Sequence, residues 1–242
     1  MELGILLEKI LPFLKRRKII SIFFYIAFLF YFSIPTFQIP LLEYQRTYVS
    51  SLMEQRAIEH LMIFYPHQSW ASFGSINQNL FRAIVSMEDG NFFNHKGVDW
   101  EELEKSLRLN KRRRRAARGG STITMQLSKN LYYTTNKSVF RKAKELLTTF
   151  RIEKEVSKQG ILHQYVNIIE WGDGIFGIKK AADIYFNKEP RDLSAIESSR
   201  LAAVIPSPLR YDPSANSRYV SRRSSIIRGR LGDVQLFPDD VK

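Results

Sequence analysis

At 242 residues, with a formal net charge of +13 and no cysteine, the chain has room for one ordinary catalytic domain and an appendage. The charge selects an anionic partner: nucleic acid, a phosphorylated substrate or a membrane surface. The missing cysteine excludes disulfides, thiolate nucleophiles and cysteine-ligated metals.

The first element is an uncharged run from Ile19 to Ile34, preceded by Lys15-Arg16-Arg17-Lys18. At about 1.5 Å per residue it covers most of a roughly 30 Å hydrocarbon layer, and Leu14 and Phe37 extend it. The pattern predicts an anchor over 19–37, residues 1–18 in the cytoplasm and everything after Pro35 outside. A cleaved signal peptide would carry small residues at a cut site, whereas Tyr31-Phe32-Ser33-Ile34-Pro35 is bulky. Pro35 and Pro40 then break the helix into a short stalk, and a globular domain is expected over 42–242.

Beyond the stalk, apolar residues recur at three and four and seldom alternate, which predicts a mainly helical domain. Helices are expected near 43–64, 79–88, 99–110, 121–131, 138–156, 159–169, 175–186, 192–204 and 217–231. Val139, Ala143, Leu146 and Phe150 form one stripe, and Ile196, Leu201, Ala202 and Ile205 form another that stops before Pro206. The dense charge run from Lys111 to Arg118 reads as an exposed loop between two helices. Nucleic-acid binding or solubility is the usual meaning of such a run. Behind an outward-facing anchor, contact with anionic headgroups is the better reading, at about 1 kcal/mol per basic residue near the surface.

Chemistry concentrates in three places. Glu88 ends the apolar run Ala83-Ile84-Val85-Ser86-Met87 and is followed by Phe92 and Phe93, and burial among such groups makes a carboxylate a usable base near neutrality. The bland alternatives are a surface carboxylate at a helix end for Glu88, a turn cap for Asp89 and a hydrogen-bonded structural role for His95. No other histidine stands at ligand spacing, so a histidine metal site has little support. Next, Gly119-Gly120-Ser121-Thr122 enters a helix whose start is a ready anion site, unless Ser121 is simply its N-cap. Thr122, Gln126 and Lys129 fall at i, i+4 and i+7, on one face. Third, Arg141, Lys142 and Glu145 are either a surface ion pair worth well under about 1 kcal/mol or a phosphate-neutralising cluster with a second carboxylate. Paired carboxylates suit chemistry at an anomeric carbon.

These residues, in order, resemble a known family. Glu88-Asp89-x-x-Phe92-x-x-His95-x-Gly97, Gly119-Gly120-Ser121-Thr122-Ile123-Thr124-x-Gln126-x-x-Lys129-Asn130, Arg141-Lys142-x-x-Glu145 and Ile161-Leu162-x-x-Tyr165-x-Asn167 are similar to the motifs of the family 51 peptidoglycan glycosyltransferases. The likeness continues through Glu197-x-x-Arg200 to Pro208 and covers roughly 75–230. The segment from Ile168 to Gly177 resembles the stand-alone, membrane-anchored branch, and the remaining chain leaves no room for a transpeptidase domain.

The resemblance implies a lysozyme-like helical fold at the outer face of the cytoplasmic (inner) membrane, polymerising lipid II into β-1,4-linked glycan and releasing undecaprenyl pyrophosphate. It implies Glu88 as general base and Glu145 as a second essential carboxylate that orients or stabilises. Lys129, Arg141 and Lys142 would stabilise the pyrophosphate, and Ser121, Thr122, Gln126 and Asn130 would shape the donor site. A divalent cation, magnesium or manganese, at the pyrophosphate is conceivable, though no protein ligand set is visible. The partners implied are lipid II, the growing lipid-linked glycan, membrane lipids and other cell-wall synthesis proteins, with no nucleic acid.

Four positions depart from the family pattern. His163 replaces a glutamate, Val166 a leucine and Met125 a frequent glutamine. Lys137 stands where many relatives have arginine near the donor pyrophosphate, so charge survives without the bidentate fork. Competing readings are a catalytically silent lipid II-binding scaffold, a membrane-tethered nucleic-acid binder using Arg112–Arg115, and a lytic hydrolase of the same fold. Intact Glu88 and Glu145, the outward topology and the lysine-bearing second motif weigh against them in turn.

Overall fold

The computed structural model describes residues 2–61, 68–113, 119–136 and 138–238, with side chains from Arg17 onward. It divides into two compact units, Met1–Thr36 and Phe37–Lys242. The first is helix α1 (Glu2–Phe32), which stops ahead of Pro35. From Ile19 to Phe32 its apolar side chains are exposed all round, Phe23 and Phe24 by 67% and 65%. Among the described residues no helix is long and apolar enough to cross a membrane. The stretch with described side chains, from Arg17 to Phe32, rises only roughly 24 Å at helical pitch.

The second unit is mainly helical, and its first segment differs from the expected helix at 43–64. A 3-10 turn at Ile39–Glu43 gives way to extended chain, and α2 spans Ser51–Glu59 with Ser50 as N-cap. The reason lies in where the intervening polar groups bond. Helix α7 (Lys158–Ile168) takes them. Ser157, its N-cap, donates to the Glu43 carboxylate through N–H and hydroxyl at 2.8 Å each, and Gln164 donates to the carbonyls of Leu42 and Gln45. Gly160 leaves room for this clamp: a Cβ there would lie 2.5 Å from the Glu43 carboxylate.

Helix α3 (Gln78–Glu88) buries Leu80, Phe81, Ile84 and Val85, and α4 spans Trp100–Arg113. The basic run therefore begins as exposed helix at Lys111 and Arg112, and residues 114–118 lie outside the described residues. Helix α5 (Ile123–Tyr132) buries Ile123, Leu127 and Leu131, the stripe its spacing predicts, against α6 (Val139–Glu155) and α7.

Helix α6 is turned the other way from the apolar stripe at Val139, Ala143, Leu146 and Phe150. Val139 and Phe150 are 85% and 40% exposed, and the buried face is Glu145, Thr148, Thr149 and Ile152. Polar bonds set this rotation, since the Glu145 carbonyl accepts from Ser128 on α5 and from Thr149.

A two-stranded antiparallel hairpin, β1 (Glu170–Gly172) and β2 (Ile175–Phe176), stands at the start of the helix expected from 175. Gly174 and Gly177 have φ of +66° and +78°, which no helix accommodates. Helix α8 accordingly begins at Ile178 and ends at Phe186, with Asn187 left-handed after it. Helix α9 (Ala195–Val204) starts on a Ser194/Glu197 capping box, and α10 (Arg218–Gly229) packs with α3 and α9.

Candidate active site

Glu88 is the last residue of α3, and Asp89, His95 and the Gly97 backbone of its motif tie that helix end to the start of α5. Asp89 leaves helical geometry at φ −161°, and its carboxylate accepts from the Ile123 N–H at 3.0 Å and from His95 Nε2 at 3.0 Å. A carboxylate at that position also meets the positive end of α5. His95 Nδ1 accepts from the Gly97 N–H at 3.1 Å, so the ring proton sits on Nε2. Gly97 has φ +96°, and a Cβ there would approach Thr149 Cγ2 to 2.9 Å. The Gly97 carbonyl accepts from Thr122 Oγ1 at 2.6 Å, and the same oxygen of Thr122 caps α5 by accepting from the Met125 N–H.

Below this sits a second buried set. Lys158 donates to the His95 carbonyl at 2.8 Å, pairs with Glu153 at 2.7 Å and lies 4.4 Å above the Phe92 ring. Glu153 also accepts from the Thr124 hydroxyl. Nothing in this set needs a substrate; its effect is to hold the first turn of α5 in place.

The face of α5 that carries Gln126 and Lys129 is thereby aimed at Glu88. Tyr165, fully buried on α7, donates to Gln126 Oε1 at 2.8 Å, and Gln126 Nε2 donates to Glu88 Oε2 at 2.6 Å. Burial pushes the Glu88 carboxyl above the ordinary carboxylate range; the Gln126 hydrogen bond and the charges of Arg223 and Lys129 pull the other way, and Asp89 adds to the rise. Burial likewise lowers the affinity of Lys129 for its proton, opposed by Glu145 and Glu88 and reinforced by Arg141 and Lys142. Lys129 is thus within the electrostatic reach of both carboxylates.

Glu145 is 2% exposed. Its two oxygens accept from Arg141 Nη1 and Lys142 Nζ, each at 2.5 Å, and Arg141 Nε also donates to the Asn136 carbonyl. The trio is therefore a buried carboxylate under two cations and not a solvated surface pair. Lys142 stays 45% exposed at its side chain, so the cations open toward solvent while the carboxylate does not.

Two other predicted positions stand at the start of α5. Ser121 is exposed and precedes the cap, which is Thr122; Thr122 is 3% exposed and committed to Gly97 and Met125. Asn130 is 8% exposed, and Lys137 lies outside the described residues. His163 donates through Nε2 to the Ala71 carbonyl at 2.9 Å and packs edge-on to Trp70 and Phe73. Asn167 accepts from the Ala71 N–H and donates to its carbonyl. The histidine therefore joins Asn167 in clamping one loop residue, and burial favours its neutral form.

One neighbour of Glu88 has no signal in the sequence. Arg223 reaches from α10 to within 3.1 Å of Met87 Sδ, with its guanidinium 5.2 Å from the Tyr219 ring centre. In a helix that also carries Arg218, Arg222 and Arg228, nothing distinguishes it by type or spacing.

A cavity of about 460 Å³ opens between the stalk and α2, lined by Leu41, Arg46, Val49, Glu54, Leu131 and Tyr132 among others. It does not include Glu88, Lys129 or Glu145, and the chemistry follows the side-chain cluster instead. Among the described residues no group of three His, Asp or Glu is placed to hold a metal ion. With both Glu145 oxygens taken by Arg141 and Lys142, the residues present do not fit a protein-held divalent cation.

A partly buried acid beside a lysine, on a helical scaffold with a second, cation-capped acid, suits glycosyl transfer. The transglycosylase family model matches residues 54–231. The chain is 40% identical over 167 residues to the biosynthetic peptidoglycan transglycosylase of Herminiimonas arsenicoxydans, covering 69% of this chain and 72% of that one. It is 41% identical over 172 residues to that of Bordetella avium (69% and 72%) and 43% over 162 residues to that of Aromatoleum aromaticum (67% and 70%). The chain belongs to the transglycosylase family.

Proposed function

We propose that this peptidoglycan glycosyltransferase polymerises lipid II, with Glu88 as the general base. The observation that carries the reading is the line from Tyr165 through Gln126 to Glu88, which orients a partly buried carboxylate at the face of α5 that also carries Lys129. Glu88 takes the proton of the acceptor 4-hydroxyl as its oxygen attacks C1 of the donor. The C1–O bond to the pyrophosphate breaks with inversion, giving a β-1,4 link, and the bonding pair leaves with the lipid pyrophosphate. Lys129, Arg141 and Lys142 offset the charge that develops there. Both Glu145 oxygens are ion-paired, and its work is to hold Arg141 and Lys142 in place. Gln126 orients the base, while Thr122 acts through the start of α5.

The same reading puts the domain outside the cytoplasmic membrane, on an anchor formed by the second half of α1. A helix that is apolar on every side suits hydrocarbon, and the basic residues before it favour a cytoplasmic amino terminus.

The test is incubation of the purified full chain with lipid II and measurement of polymer. Wild type makes glycan and Glu88→Gln makes none while still binding lipid II. Binding without polymer from wild type, beside an active relative, would replace the reading with a silent scaffold.

A further inference from the structure

Glu88 must be ionised to serve as a base, yet it is partly buried, which disfavours its charge, and Asp89 stands next to it. The groups facing it are few. From α5 come Gln126, a neutral donor, and Lys129; from α7 comes Tyr165, which acts through Gln126; from α10 comes Arg223. Lys129 is shared, since it also answers to Glu145 and stands with Arg141 and Lys142. A donor pyrophosphate held by that cluster would neutralise Lys129 at the moment the base is needed, and would add negative charge of its own.

Arg223 is in a different position. It sits on a helix that contributes nothing to the Lys129, Arg141 and Lys142 cluster, and no carboxylate lies at ion-pair distance from it among the described residues. Its Nε is buried without a hydrogen-bond partner. A buried unpaired guanidinium nitrogen costs stability, so its retention calls for a reason. The guanidinium is held against Met87, the residue before Glu88, and over the ring of Tyr219, which itself stacks on Tyr211 at 3.8 Å and 6°. That mount fixes a positive charge beside the end of α3 without neutralising it. Like Lys129, it favours the charged form of Glu88.

We propose that Arg223 is a positioning residue for glycosyl transfer, which keeps Glu88 ionised when the donor pyrophosphate has occupied the lysine on the other helix. The inference rests on Glu88 being the base. Tyr219 and Tyr211 serve as the platform that holds the guanidinium, and Arg223 touches neither sugar.

The experiment is a pH profile of kcat/KM for lipid II polymerisation by the full chain in detergent, for wild type, Arg223→Met and Arg223→Lys, with Glu88→Gln alongside. Arg223→Met keeps an unbranched stem against Met87 and removes the charge. Its acid limb moves up by about one pH unit, a loss of about tenfold below the limb that shrinks as pH rises. Arg223→Lys, which keeps the charge, restores most of the wild-type limb. An unmoved limb in Arg223→Met, or a loss by the same factor at every pH in both variants, overturns the proposal and leaves Arg223 a packing residue. If Glu88→Gln still polymerises, the assignment of the base fails instead. Thermal melts of the variants show that the enzymes compared are folded.

Discussion

At the scale of single residues, the site is a set of ionisable groups held away from their ordinary behaviour by burial, and this has consequences that can be measured. Glu88 binds its proton above the ordinary 4.5 and Lys129 releases its own below the ordinary 10.5. In the proposed mechanism the base must be deprotonated and the lysine protonated. Activity therefore falls on the acid side as Glu88 protonates and on the alkaline side as Lys129 discharges, giving a bell narrower than unperturbed groups would give. The pH dependence of kcat/KM checks it; a flat response through the acid limb would contradict it. The same burial sets a linkage. A carboxyl whose folded pKa is raised favours folding fully below its unfolded pKa, and that contribution is lost as pH rises through the folded value. At neutral pH the charged Glu88 is therefore a cost, and Glu88→Gln should melt at a higher temperature than wild type while being inactive. Equal melting temperatures at pH 7 would show that Gln126 and Arg223 fully offset the burial.

At the scale of elements, the helices with a clear cap and an apolar stripe were legible before any coordinates. Asn77, Ser138, Ser157, Ser194 and Ser217 each stand where a helix begins. The misreadings have physical causes. An apolar stripe on a helix suggests a buried face, but on α6 Glu145 with its two cations and the neighbouring threonines hold that face. Ser121 was weighed as the cap because it follows two glycines; Thr122 holds that place because its methyl and hydroxyl can be buried against Gly97. The hairpin at 170–176 is too short to show a period of two. Arg223 was invisible because it reaches Met87, beside Glu88, through tertiary packing alone. How the aspartate, histidine and glycine of the first motif cooperate was equally hidden, and Gly97 tests it. Gly97→Ala forces a positive φ and a 2.9 Å approach to Thr149, whereas Gly174, also at positive φ, has open space beside it. Strain alone costs about 1–3 kcal/mol, so Gly97→Ala should lower the urea midpoint more than Gly174→Ala and also reduce polymerisation. Equal midpoints would mean that Thr149 moves aside freely.

At the scale of the whole molecule, a charge of +13 and an apolar helix support the anchor proposed for α1. A reporter enzyme fused after Pro40 should be active only outside the cytoplasm, and cytoplasmic activity would reject the orientation. Where the catalytic body begins is a separate matter, and the Glu43 clamp on α7 bears on it. The family match starts at residue 54, which invites a soluble fragment cut there. Such a fragment would lack Ile39, which has no exposed surface, and would leave the α7 start and Gln164 without their partners. Since α7 carries Tyr165, the loss would be felt at Gln126 and Glu88. A fragment from Phe37 should express as a monodisperse, cooperatively melting protein, and one from Glu54 should melt lower and polymerise poorly even where it stays soluble. For crystallisation or inhibitor screening, the residues resembling a tether are thus part of the enzyme to be kept.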